Sequence, residues 1–186
     1  MLVIGVHCAC TPAQASQKEH DMSRKQSADN SPWLTPSQES AWRAYMGLSL
    51  QMTFEMNRQL TEDHGLSLAD YSVLVALADS PDGRRRVTDL AAEIGWERSR
   101  ASHHLARMSA RGLTDRTVST TDARATDAVL TEAGRAALDE SAAGHVDVVR
   151  RLFFDGLAPD EVSTLESILT RLRDHMRING TLPQPQ

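Results

Sequence analysis

The feature that most constrains this chain is the stretch from Thr88 to Leu130. Two short helical patterns, Asp89 to Ile94 and about Arg98 to Arg111, are separated by Gly95-Trp96 and followed at once by two β-prone stretches, Thr114–Val118 and Thr126–Leu130. Glycine supplies the left-handed backbone of a tight turn, so Gly95 breaks the first pattern and Gly112 closes the second. Two helices across a turn are a weak signal by themselves, because any αα-hairpin looks alike. The hairpin directly after them predicts a winged helix-turn-helix, with the second helix in the major groove of DNA and the hairpin tip beside it.

A helical wheel sharpens the second helix. With Leu105 at 0° and about 100° per residue, Ala101, Met108 and Gly112 lie within about 60° of it and form an inward face. Ser99, Arg100, His103 and Arg107 fall on the opposite side with no acid among them. Arginine can grip guanine O6 and N7 bidentately, while a serine and the helix N-terminus suit a backbone phosphate. The expected recognition-helix set is therefore Arg98, Ser99, Arg100, Ser102, His103, His104 and Arg107. Arg84, Arg85, Arg86, Thr88 and Arg116 are expected on the flank, and Asp122 and Arg124 at the wing tip, where a single arginine suits a narrow minor groove.

Charge distribution separates this reading from that of a merely solvated face. The chain of 186 residues has a net charge of −5, which argues against a polycation that coats nucleic acid. Residues 84–124 hold nine arginines against five acids, a local +4, and leave the rest at −9. Eighteen of the twenty basic residues are arginine, a bias that a GC-rich genome would also produce.

The flanking segments read as helices. Trp42, Tyr45, Met46, Ser49, Met52, Met56 and Leu60 recur at helical spacing from Ser37 to Gly65, and Ser67-Leu68-Ala69-Asp70 opens a second helix with an acid at its third position. Arg84 to Val87 is too short for a helix, and Thr88 is expected to cap the next one. Thr131 caps a helix carrying Leu138, Val146, Val149, Leu152 and Phe153, and Pro159 opens a last one with Val162, Leu165, Ile168, Leu169, Leu172 and Met176 on one stripe. That stripe is too apolar to be left in water and needs either a second subunit or the 38–62 helix. The expected division is an unstructured arm at 1–36, helical frame segments at 37–66 and 131–178, a winged helix-turn-helix at 67–130 and a frayed tail at 179–186. The expected fold class is mainly α with a small β-hairpin wing.

The stretches Leu90-Ala91-Ala92-Glu93-Ile94-Gly95-Trp96, Arg98-Ser99-Arg100-Ala101-Ser102-His103-His104-Leu105-Ala106-Arg107-Met108, Arg111-Gly112-Leu113 and Leu130-Thr131-Glu132-Ala133-Gly134 together resemble the MarR family of bacterial transcriptional regulators over about residues 38–178. The resemblance implies a homodimer built by the first and last two helices. It also implies a pseudo-palindromic double-stranded operator with half-sites about 34 Å apart. Asp122-x-Arg124 matches the family's wing-tip motif, with Ala125 where many members have glycine. Family members often respond to small aromatic ligands held between the dimer helices and the DNA-binding lobe. Trp42, Met46, Met52, Met56, His64 and Tyr71 are candidates to line such a pocket, although the same residues also fit a core.

The expected function is a DNA-binding regulator, a repressor of nearby genes released by an effector; a winged-helix protein-interaction module is the alternative. Nothing suggests an enzyme, since there is no nucleophile elbow, metal-ligand spacing or paired carboxylates with a base nearby. No cofactor is expected. Cys8 and Cys10 lie too close for an ordinary disulfide, and Met22 is a second candidate start, which would leave them untranslated. The apolar start Leu2–Val6 is too short for a membrane span, so a cytoplasmic protein is expected.

Overall fold

The computed structural model describes residues 33–119 and 125–181. The arm with Cys8 and Cys10, and the wing-tip residues Asp122 and Arg124, lie outside the described residues. The chain forms two compact units, 1–49 and 50–186.

Helix α1 (Pro36–His64) begins in the first unit and ends in the second. Its start lies one residue ahead of the sequence-based boundary at Ser37. The Thr35 N–H donates to Gln38 Oε1 (2.9 Å) and the Gln38 N–H to Thr35 Oγ1 (3.3 Å), so two otherwise unsatisfied backbone donors are met reciprocally. Pro36 follows in the first helical position, where its missing N–H costs nothing. Within this unit Trp42 and Tyr45 pack ring against ring at 5.5 Å.

In the second unit α2 (Leu68–Ala78) carries the expected capping box. The Asp70 N–H donates to Ser67 Oγ at 3.0 Å, and the Ser67 N–H to Asp70 Oδ2 at 2.9 Å. Strand β1 (Arg84–Arg86) leads straight into α3 (Val87–Glu93), followed by α4 (Arg98–Ala110). Thr88 is thus inside α3 rather than its cap: Arg86 holds the cap position with no side-chain bond to the helix start, because the chain arrives there already paired in the sheet. Strands β2 (Thr114–Val118) and β3 (Thr126–Leu130) form the hairpin, and β1 adds to it in the antiparallel order β1-β3-β2. Ala128 is the pivot of this sheet, opposite Arg85 on one side and Arg116 on the other.

The core lies where α2, α3, α4 and the end of α1 meet. Leu60, Val73, Leu74, Leu77, Leu90, Leu105 and Met108 are completely buried there. Two glycines fix the chain path into and out of the wing. Gly112 has φ +74°, which lets α4 end abruptly before β2. Gly134 sits so close to the Leu113 carbonyl that an added Cβ would collide with it, which is why α5 can dock against the root of the hairpin.

Helix α5 (Glu132–Val149) is capped by Thr131, whose hydroxyl accepts from the Gly134 N–H at 2.9 Å. It widens into a π-helical turn, Arg150–Phe154, in which Phe153 and Phe154 meet edge to face at 5.0 Å. Helix α6 (Pro159–Asn179) opens with Pro159 and with the Ala158 N–H donating to Glu161 Oε2 (2.8 Å). None of its residues is buried: Ile168, Leu169, Leu172 and Met176 all remain exposed.

Candidate nucleic-acid interface

The outer face of α4 is presented as its periodicity requires. Ala101, Leu105 and Met108 are buried, which turns Arg98, Ser99, Arg100, His103 and Arg107 to the exterior, with Ser102 half-buried at the edge. Arg100 lies over the Trp96 ring at 4.3 Å, a cation–π contact that restrains its long side chain before any ligand arrives.

His104 departs from the sequence-based expectation. It was expected among the outward contacts but is only 7% exposed, at the inner flank of the helix. Its neighbours explain this. The ring meets Trp96 edge-on at 5.2 Å, Nε2 lies 2.9 Å from Asp70 Oδ1, and Arg107 Nη2 is 2.8 Å from Nδ1. The Nε2 contact is close in charge terms but outside hydrogen-bond alignment. Burial is the main influence on the imidazole and lowers its pKa; Asp70 opposes this and the Arg107 charge reinforces it.

The flank divides likewise. Arg84 Nη1 donates to Thr117 Oγ1 at 3.0 Å and lies 3.7 Å from Asp127 Oδ2, while Arg85 donates to Ser80 Oγ at 3.0 Å and pairs with Glu93 at 3.1 Å. These two arginines are therefore internal ties of the sheet rather than the outward contacts expected. The reason is strand β1 itself, which pins their backbone against β3. Arg86 and Thr88, by contrast, reach a cleft of about 230 Å³ that Arg98 and Ser102 of α4 and Arg116 and Thr126 of the wing also line. Three guanidinium groups, two threonines and a serine converge there, and among the described residues no carboxylate lines the cleft. Such a set suits an oxyanion, because arginine supplies a planar fork of donors matched to phosphate.

Sequence reasoning missed what holds α4 in place. Asp70, 4% exposed, receives the Ser67 N–H and Arg111 Nη1 (2.8 Å), and Arg111 Nη2 continues to the Gly65 carbonyl at 2.8 Å. Burial would raise the Asp70 pKa, but the Ser67 N–H, Arg111 and the Ser67 hydroxyl outweigh it and the net direction is down. The N-cap motif revealed Asp70 as a helix starter. Its reach to a residue 41 positions away had no signal in the sequence.

The expected pocket residues are spread among different environments. In the second unit Met52, Met56 and Tyr71 are half-buried and His64 is exposed. Tyr71 packs on His145 at 4.3 Å, and burial raises the Tyr71 pKa and lowers that of His145. In the first unit Trp42 and Met46 are exposed. Among the described residues no three His, Cys, Asp or Glu side chains gather to hold a metal, and no helix is long and apolar enough to cross a membrane.

Comparison with known proteins agrees with this geometry. The family model described as MarR family matches residues 64–125. No curated protein matches the chain. Among solved structures the chain is similar to Sco3205 from Streptomyces coelicolor, a MarR family transcriptional regulator in complex with DNA. Identity is 35% over 83% of this chain and 100% of that one, with a TM-score of 0.76. It is similar as well to AbsC, a MarR family transcriptional regulator from the same organism, with 35% identity over 79% of this chain and 99% of that one and a TM-score of 0.73. Bordetella bronchiseptica BpsR, whose DNA binding is regulated by 6-hydroxynicotinic acid, shares the fold at 21% identity over 72% of this chain and 98% of that one, with a TM-score of 0.63. With a fold mostly helical around a three-stranded antiparallel wing, and two 35% identical relatives covered almost completely, the chain belongs to the MarR family of transcriptional regulators.

Proposed function

We propose that this regulator acts as a cytoplasmic homodimer that represses nearby genes by occupying a pseudo-palindromic operator. The observation that carries the reading is the junction of α4 and the wing. Arg86, Arg98 and Arg116 converge with Ser102 and Thr88 on one cleft, while Ser99, Arg100, His103 and Arg107 stand exposed on the adjoining face. In this reading the cleft takes a backbone phosphate and fixes the register, and the exposed arginines read base edges in the major groove. At the wing tip Arg124 is assigned to the minor groove, with Asp122 restraining the tip or pairing with Arg124.

The dimer is supported by what α5 and α6 leave uncovered. Phe153, Phe154, Val162, Leu165 and Leu169 line an open, mostly apolar groove of about 560 Å³, continuous with the exposed stripe of α6. Burying such a surface against a second copy removes apolar area from water at about 25 cal/mol per Å². Release by a small aromatic compound is supported by the fold shared with BpsR and by the soft side chains Met52, Met56 and Tyr71.

The test is binding of the purified protein to DNA from upstream of its own gene at rising salt. A specific complex should weaken steeply, because each phosphate contact releases counterions. Full retention of affinity by both Arg98→Ala and Arg107→Ala would sink the reading, and recovery of a protein partner without any DNA shift would replace it with an interaction module. Small aromatic acids titrated into the complex test the release.

A further inference from the structure

Arg107 is assigned to DNA above, and the following rests on that reading. The side chain is not free to choose its position: Nη2 is 2.8 Å from His104 Nδ1. Guanidinium has donors and no acceptor, so this contact needs a bare lone pair on Nδ1, which leaves the imidazole proton on Nε2. Nε2 in turn faces Asp70 Oδ1 at 2.9 Å. The tautomer is thus set from both sides, by a cation that needs an acceptor and an anion that attracts a proton.

Asp70 cannot follow a moving partner. It is held by the Ser67 N–H at 2.9 Å and by Arg111 at 2.8 Å, and Arg111 is itself tied to the Gly65 carbonyl. The imidazole is wedged against the Trp96 ring and almost fully buried. The charged groups acting on it are Asp70 from α2 and Arg107 and Arg100 from its own helix.

We propose that His104 is a positioning residue for Arg107: its Nδ1 lone pair holds the guanidinium at the DNA-facing side of α4, and protonation of the ring releases it, so that operator binding weakens on acidification.

The chemistry has one direction. Near neutral pH burial and the two arginines keep the ring uncharged and the acceptor bare. A second proton enters at Nδ1, the one vacant ring nitrogen, and turns an acceptor into a donor aimed at another donor. Two positive charges then meet where a hydrogen bond had been. Asp70 retains the ring, so Arg107 is the group that must leave. His103, exposed one residue earlier on the same helix, serves as the control.

Fluorescence anisotropy on a duplex from upstream of the gene, at fixed ionic strength between about pH 8 and about pH 5.5, spans the histidine range. The expected result is a loss of about tenfold in affinity on acidification, the scale of one misplaced arginine. His104→Asn, whose amide oxygen stands in for Nδ1 but does not titrate, should flatten the profile and bind more tightly than His104→Leu, which has no acceptor. His103→Asn should keep the loss. Affinity that is constant or rises on acidification overturns the proposal, as does a response surviving in His104→Asn or a loss that tracks thermal unfolding. Arg107→Ala distinguishes the two layers. Weak, pH-independent binding supports both, whereas undiminished binding removes the Arg107 contact with DNA itself.

Discussion

The DNA-facing region and the C-terminal frame solve the problem of buried surface in opposite ways. From α2 to β3 the chain closes on itself: Val73, Leu74, Leu77, Leu90, Leu105 and Met108 are fully buried, and even the charged groups Asp70, Arg84, Arg85 and Arg111 are tied internally. Among the described residues helix α6 has none that is fully buried, and Leu169, Leu172 and Met176 stay exposed. A region that must present a fixed set of side chains to a ligand needs internal rigidity. A region whose apolar stripe awaits a second copy needs that stripe left open.

Substitutions in the two regions should therefore fail differently. Leu105→Ala removes a completely buried side chain at the meeting of α4 with the core and is expected to lower stability by about 2–5 kcal/mol, measured by chemical denaturation. Leu169→Asp with Leu172→Asp should leave the wing and its cleft folded by circular dichroism but shift sedimentation to the monomer. A dimer surviving that pair would break the contrast. Next comes the contact surface: Arg98→Ala should cost about 1–3 kcal/mol of operator affinity at little cost in melting temperature, because Arg98 is exposed and lines the cleft.

Asp70 links the core to the recognition helix and has a defined pH signature. Its folded pKa is lowered, so the stability it contributes is complete above the unfolded value of about 3.9 and is lost as pH falls through the folded value. Asp70→Asn should cost about 1–3 kcal/mol near neutral pH, as buried donors lose a charged acceptor, and should flatten the acid limb of the stability curve. Equal acid sensitivity of wild type and variant would remove Asp70 from this role. Smallest is the helix cap: Thr131→Ala should cost about 1 kcal/mol, because the Gly134 N–H loses its acceptor.

Much of this was legible in the residues because local rules set it. The Ser67 capping box, the Gly112 stop, the hairpin strands and the Thr131 cap appear where the sequence places them. Ala101, Leu105 and Met108 turned α4 as the wheel required. The errors came where a neighbour distant in sequence decided. Arg84 and Arg85 read as part of a basic island, yet pairing with β3 draws them to Thr117, Asp127, Ser80 and Glu93. His104 lies between the two faces of the wheel, and nothing local shows that Asp70 waits across the gap.

The sequence by itself determined where the helices and the wing lie, which face of α4 is apolar, and which family the pattern resembles, because capping, glycine turns and periodicity act over a few residues. Only the tertiary structure decided which arginines are ties and which reach the cleft, and that a buried histidine stands between Asp70 and Arg107. A charged side chain has the same reach in either role. What draws Arg84 and Arg85 inward is a hydroxyl and a carboxylate brought close to each from elsewhere in the fold.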